Sequence, residues 1–283
     1  MNLKYGSKGT QVIDLQKLLI QHGLTGRNHK KLMADGDFGD NTEYAVIQFQ
    51  KIKNLKDDGI AGLATFKALQ GEDTSKLLSA SDLENGAKRL NVPVIVIKAI
   101  AEVETQGDGF LTSKRPKILF ERHRMYFYLT QKFGKTKANQ FMKAHPNIIN
   151  TATGGYRGGE SEYIRLNQAI QIDEECALQS ASWGRFQLMG ENWKDLAYVS
   201  VQEFVQQHYQ SETLQFEAFL RFCEFKSGTV DDQKWTLLDA LKQENWHVVF
   251  TLYNGSNYKR LGYDTKFLQV MNRLNSTYKS KAA

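Results

Sequence analysis

The sequence predicts a mainly α protein in two unequal parts, a small bundle of about three short helices followed by a larger, mostly helical domain. Three observations carry this. Apolar residues recur at three- and four-residue spacing through most of the chain. A repeated D-G-x-x-G-x-x-T pattern breaks the first 70 residues into short helices joined by tight turns. A polar, small-residue stretch, "GEDTSKLLSASDLENG" (71–86), then sets the remainder apart.

In "GSKGTQVIDLQKLLIQHG", Val12, Leu15, Leu18 and Leu19 fall on one helical face, and Gly23 is a plausible stop. The echo follows. "DGDFGDNT" (35–42) leads into "EYAVIQFQKI", and "DGIAGLAT" (58–65) leads into "FKAL". Asp-Gly makes a tight turn, the second Gly tolerates an unusual backbone angle, and Thr or the residues just before it can cap the next helix. The linker, placed at 71–84, feeds a helix capped near Ser81 or Asp82. From there to about residue 277 the periods are mostly helical. Only 151–163, "TATGGYRGGESEY", and the segment around 105–118 read as loops or short hairpins.

Composition narrows the functional classes. The chain has 283 residues, 41% hydrophobic and 11% aromatic, which fits a folded globular protein. No apolar stretch reaches the roughly 18–20 residues of a membrane span. The start, "MNLKYGSKGTQVIDLQ", lacks the apolar core of a secretory signal, so a cytoplasmic product with no stable membrane insertion is expected. The net charge of +6 suits a polyanionic partner, yet the excess is spread along the chain and no DNA-reading motif occurs, so no nucleic-acid partner is expected. Six histidines show no H-E-x-x-H and no ligand pair, so no metal or other cofactor is expected. "GGYRGG" lacks the lysine and spacing of a P-loop. Cys176 and Cys223 read as small buried hydrophobes rather than a disulfide or a nucleophile.

Two carboxylates stand out in "KAIAEVETQGDGF" (98–110). At 3.6 residues per turn, Glu104 shares a face with Ile97, Ile100 and Ala101, while Glu102 shares the other with Lys98. Glu102 therefore reads as a surface i,i+4 partner of Lys98. Glu104 lies at an apolar helix C-terminus, where desolvation and the helix dipole both raise a carboxyl pKa. A protonated acid near neutral pH is what a glycosidase uses to protonate a leaving oxygen. A helix-end residue bonded to backbone would look the same on this stretch alone.

The larger pattern adds a resemblance. G-x-x-G-x-x-V-x-x-L-Q-x-x-L, then D-G-x-F-G-x-x-T-x-x-A-V-x-x-F-Q, then D-G-x-x-G-x-x-T, over residues 3–70, resembles the three-helix peptidoglycan-binding domain. Such a module grips glycan or stem peptide in a shallow groove. Asp35, Phe38 and Tyr44 are its candidate wall-binding residues, with core packing the competing reading for Phe38 and the preferred one for Phe49.

"EVETQGDGF", "RPKILFERH", "GGYRGGESEYIRL", "ASWGRFQLMGENW" and "WHVVFTLYNGSNY" occur in that order. As a set they resemble the N-acetylmuramidase domain of modular phage endolysins, a branch of the lysozyme superfamily that includes goose-type lysozymes and lytic transglycosylases. The resemblance implies a lysozyme-like second domain over 85–283. It implies that Glu104, followed by Thr105 where the family has Ser, is the general acid.

Gln187, Met189 and Ser182 of "SWGRFQLMG" would line the cleft. Tyr253, Asn254 and Tyr258 of "YNGSNY" would meet sugar rings and an acetamido group. Phe250 and Trp246 read as core. Glu121 is the favoured second carboxylate, beside Asp108, Glu160 and Glu162; an internal pair with Arg122 or Arg124, or a bond to His123, is its competing reading, and some relatives work with a single glutamate.

The implied activity is hydrolysis of the β-1,4 bond between N-acetylmuramic acid and N-acetylglucosamine. The implied partner is bacterial peptidoglycan in the periplasm of a Gram-negative host. The protein would act as a monomer and be delivered by a separate pore protein. A lytic transglycosylase and a non-catalytic wall-binding phage structural protein are the alternatives.

Overall fold

The computed structural model describes residues 2–103, 109–260 and 262–282, and it is mainly α. Two compact units divide it: Met1–Asp108 with Asp239–Ala283, and Gly109–Leu238.

The first unit begins with α1 (Thr10–Gln21), α2 (Asp40–Ile52) and α3 (Leu63–Leu69). Val12, Leu15 and Leu19 are fully buried on one face of α1, as their spacing requires, and Leu18 packs against the same core. Gly23, at φ 75°, follows the helix.

Each Asp-Gly turn is locked by a buried glutamine one helix earlier. Gln16 Nε2 donates to Asp35 Oδ1 (2.8 Å), to the Asp37 carbonyl (3.0 Å) and to Thr42 Oγ1 (2.9 Å), while its Oε1 accepts from Gly36 N–H (2.9 Å). Gln50 repeats the set on Asp58 Oδ1 (3.2 Å), the Ile60 carbonyl (2.9 Å), Thr65 Oγ1 (3.1 Å) and Gly59 N–H (3.0 Å). The internal echo is thus one structural device built twice. Gly36 sits at φ 79°, and a Cβ there would meet Ile13 Cγ1 at 3.1 Å. The threonines do not cap the helices; Gly39 and Gly62 hold the N-cap positions, and the hydroxyls serve the glutamines instead.

Next come α4 (Ala80–Leu90) and α5 (Val94–Val103). The cap of α4 is Ser79, two residues before the expected position, in a capping box with Asp82. Helix therefore begins inside the stretch read as linker. α5 starts directly after Pro93, and Val96 through Ala101 are all buried, Lys98 included.

That burial corrects the expected pairing on α5. Lys98 is 2% exposed and its ammonium sits on Asp57, in the second Asp-Gly turn. Glu102 instead takes Lys56 (3.2 Å) and Arg273 (2.6 Å). A helix buried around its circumference has no wet side on which an i,i+4 pair could form.

The second unit holds β1 (Ile118–Phe120), α6 (Arg122–Phe133), α7 (Lys135–Ala144), α8 (Ser161–Ile170) and α9 (Glu174–Gln179). It continues through β2 (Ala181–Trp183), β3 (Leu188–Met189), α10 (Val201–Gln210), α11 (Glu212–Phe225), β4 (Ser227–Val230) and β5 (Gln233–Thr236). β1, β2 and β3 form an antiparallel sheet in that order. The segment 227–236, expected to be helical, is a hairpin whose Asp231 and Asp232 both take positive φ, as a two-residue type I′ turn requires. Phe186 stacks on Phe219 at 4.5 Å, and both buried thiols, Cys176 and Cys223, are pushed up in pKa by burial, the reverse of a nucleophile.

The chain then passes through α12 (Leu237–Lys242) and returns to the first unit as α13 (Trp246–Asn254) and α14 (Tyr263–Ala282), the latter packed on α5.

Candidate active site

The three short strands gather several of the expected residues. Leu119 faces Ser182 in the ladder, and Ser182 faces Met189. Between β2 and β3 the chain reverses at "GRFQ". Gly184 lies at φ 69°, and a Cβ on it would come within 2.5 Å of the buried Gln215 side chain, so only glycine fits. Gln187 is left-handed at φ 48°. Its amide closes the hairpin: Oε1 accepts from Ser182 Oγ (2.8 Å) and Nε2 donates to the Gly184 carbonyl (2.8 Å). Ser182, Gln187 and Met189 thus stand together, with Met189 half-buried at the sheet's edge.

Glu121 follows β1 directly and is the N-cap residue of α6, its own N–H donated to the Ser180 carbonyl across the sheet (2.8 Å). Its carboxylate accepts the Tyr156 hydroxyl at 2.8 Å on both oxygens, and His123 Nδ1 lies 3.1 Å from Oε2. The Glu121 side chain is 16% exposed. Burial, then the bond to Glu121 and its charge, push the Tyr156 phenol up to about 12, so it remains a donor at any working pH.

The neighbouring arginines are committed elsewhere. Arg122 donates to the carbonyls of Ala152 and Thr153, and Arg124 pairs with Glu191. Of the competing partners for Glu121, His123 lies close, but its Nδ1 makes no hydrogen bond to the carboxylate. Tyr156 was signalled only as the aromatic inside "GGYRGG".

The other carboxylate candidates divide. Glu160 is on the surface against Arg115. Glu162 is fully buried and structural. Burial alone would raise its carboxyl, but the N–H groups of Arg157, Phe120 and Gly158, with Arg165, bring it below the usual range. Glu104 and Asp108 lie outside the described residues; α5 ends at Val103, one residue before Glu104.

In the first unit, Tyr253 and Asn254 end α13 half-buried. Tyr258 is a correction. It is 2% exposed, its ring 5.7 Å from Phe250 and its hydroxyl 2.7 Å from His247 Nδ1, so it packs the core and offers no face to a sugar. Phe250 is core as expected, and Trp246 packs at a tilt against Phe267, ring centroids 4.6 Å apart. Phe38 is a second correction: it has no exposed surface and belongs to the core with Phe49. Asp35 is exposed but already accepts from Asp37 N–H and Gln16, which hold its carboxyl below the ordinary range. Tyr44 is half-buried on α2. Among the described residues no group of three histidine, cysteine or acidic side chains could hold a metal ion, and no helix is long and apolar enough to cross a membrane.

Comparison with known proteins decides the family. Residues 93–275 match the N-acetylmuramidase family model, about two thirds of the chain. The chain belongs to the N-acetylmuramidase family. Residues 8–69 of this muramidase-family protein match a putative peptidoglycan binding domain. The fold is similar to the crystal structure of a Burkholderia AP3 phage endolysin, with a TM-score of 0.85 and 37% identity, covering 98% of this chain and 100% of that one. A stretch of 105 residues, 36% of the muramidase-family chain, is 33% identical to a probable N-acetylmuramoyl-L-alanine amidase of Bacillus licheniformis. That stretch spans only 29% of the curated relative's length.

Proposed function

We propose that this protein is an endolysin that hydrolyses the β-1,4 bond between N-acetylmuramic acid and N-acetylglucosamine in bacterial peptidoglycan. The observation that carries the reading is the muramidase match over 93–275 joined to a wall-binding match over 8–69, in a fold shared end to end with a phage endolysin. In this reading residues 1–70 hold the wall, 71–84 link, and 85–283 cut.

Glu104, one residue beyond α5, donates a proton to the leaving glycosidic oxygen, and water attacks the anomeric carbon. Glu121 is the second carboxylate of the site. Tyr156 fixes its orientation, and its partial exposure leaves room for a water or a sugar hydroxyl. Gln187, Met189 and Ser182 line the sugar cleft; Tyr253 and Asn254, at the end of α13, are further sugar-binding residues in this reading. The protein acts as a monomer on the wall of a Gram-negative host and is delivered by a separate pore protein.

Mass spectrometry of the muropeptides released from purified walls tests this. Reducing N-acetylmuramic ends are expected from the parent. Glu104→Gln should retain wall binding and lose at least about a thousandfold in release, and Glu121→Gln at least about tenfold. 1,6-Anhydro ends would make the protein a lytic transglycosylase. Undiminished lysis by Glu104→Gln would overturn the assignment of the acid, and absence of any release by the parent would leave a wall-binding structural protein.

A further inference from the structure

The positive excess, expected to be spread along the chain, is gathered on one segment. The whole chain carries 37 Lys and Arg against 31 Asp and Glu, for a net +6. Residues 122–159 hold seven of those cations and no acidic residue, so the rest of the chain is nearly neutral.

Most of the segment's cations stand on an exposed helical hairpin. Gly134 alone links α6 to α7, and α7 packs on α6 while burying only Ala138. The cations divide in two. Arg122 and Arg124 are committed as described above, and Lys132 pairs with Asp173 (2.8 Å). Lys135, Lys137 and Lys143 are exposed, and among the described residues no carboxylate pairs with them. Three uncompensated like charges on a helix of 10 residues repel one another, and an anionic partner would relieve that repulsion. Aromatic rings stand beside the charges. Phe133, 45% exposed, meets Phe141 edge to face with centroids 6.2 Å apart. Lys132 Nζ lies 5.8 Å from the Phe133 centroid and Lys137 Nζ 5.2 Å from that of Phe141.

This chemistry selects the partner. Nucleic acid is gripped by rings that offer an open face to a base and by arginines that fork onto phosphate. Here each ring has a lysine over its face, and α7 carries no arginine. A neutral glycan gives the lysines nothing to pair with. An anionic lipid surface fits both features: ammonium groups on long stems reach headgroup phosphates, while a phenyl ring dips into the boundary beneath them. At about 15 Å, α7 is too short to cross a bilayer and can only lie along it.

We infer that the α6–α7 hairpin attaches this protein peripherally to an anionic phospholipid surface, through Lys135, Lys137, Lys143 and Phe133. The attachment goes beyond wall hydrolysis and uses none of the residues assigned to the sugar cleft.

Sedimentation of the full-length protein with lipid vesicles tests it. Binding is expected to vesicles of phosphatidylglycerol and phosphatidylcholine in equal parts, weakening as salt rises, and not to phosphatidylcholine alone. Each lysine contributes about fivefold, so replacing all three by Gln should weaken binding about a hundredfold. Phe133→Ser should weaken it about fivefold at unchanged charge. All four side chains are exposed, so the variants keep the fold, as circular dichroism will show. Release of reducing ends from lipid-free walls should be the same in the parent and the triple lysine variant. Absence of binding to the anionic vesicles, equal binding by parent and triple variant, or equal binding to neutral vesicles overturns the inference. So does tighter binding of the parent to single-stranded DNA than to vesicles, if the triple variant loses it, which would give the surface to nucleic acid. Loss of wall hydrolysis in the triple variant would give it to the wall and overturn the inference as well.

Discussion

Gln16→Met deletes the network that closes the first Asp-Gly turn while keeping the volume of the buried side chain. The contacts that go are those of Nε2, whose two hydrogens are shared among Asp35, the Asp37 carbonyl and Thr42, and the bond accepted from Gly36 N–H. Asp35 and Asp37 are exposed and find water in its place. Gly36 is buried, so its N–H is left without an acceptor at a cost of about 1–3 kcal/mol. With about 1 kcal/mol for the lost Thr42 contact, and a partial offset from the apolar thioether, the net cost is about 2 kcal/mol. For a unit of about 150 residues this lowers the midpoint by about 4–8 °C, read by calorimetry of the full chain.

Acid changes the size of the gap. Asp37 N–H and Gln16 hold the Asp35 carboxyl below its ordinary 3.8. A depressed carboxyl stabilises the fold above that value and ceases to do so as pH falls through the lowered pKa. The variant lacks the Gln16 share of this stabilisation, so its midpoint should approach the parent's as pH drops below about 4. Gln50→Met, in the repeated device, should cost a similar amount at neutral pH. A shift under about 2 °C for both variants at pH 7 would show that the glutamines do not hold the turns.

Two further perturbations follow from buried charges. Asp57→Ala removes a carboxylate from the buried Lys98 ammonium and should cost about 1.5–3 kcal/mol in urea unfolding, while Asp57→Ala with Lys98→Met recovers part of it; a single variant as stable as the parent would refute the pairing. Glu162 is held below its ordinary 4.5, so it stabilises above that pH and loses its contribution as pH falls through the lowered value. Glu162→Gln should therefore be less stable at pH 7 and show a flatter decline between pH 5 and 3, and an acid limb of unchanged steepness would count against it.

What was legible in the sequence is what local physics encodes. The buried stripe of α1 follows from its 3.6-residue period, and the twin turns follow from Asp-Gly chemistry. Sheet β1–β2–β3 was hidden because its strands are two or three residues long and β2 is buried on both faces, leaving no alternation to detect. The β4–β5 hairpin turns on Asp231-Asp232, which lacks the glycine that usually marks such a turn. In the candidate site, the grouping of Ser182, Gln187 and Met189 was readable because one hairpin contains them, whereas Tyr156 reaches Glu121 from 35 residues away. Tyr258 and Phe38 misled because an aromatic beside glycines looks alike whether it faces ligand or core; only the packing of Phe250 and of the module core separates the two.

Lys98 illustrates the deeper limit and what it conceals. A lysine four residues before a glutamate reads as a surface pair, because the i,i+4 rule sees one helix at a time. The carboxylate that pairs with it lies 41 residues upstream, in the second Asp-Gly turn of the wall-binding module. That turn does more than join two helices. Asp57 takes the buried ammonium, Asp58 accepts Lys56 and, through its carbonyl, Arg273, and Glu102 takes both cations from the end of α5. Six side chains therefore join the module, α5 and α14, and they do so at the end of the helix that leads into Glu104. A module that only tethered the enzyme to its substrate would not need a desolvated ion pair, which is costly to assemble and gives little net stability. Holding α5 in one register against the module and α14 is a role such a pair can fill.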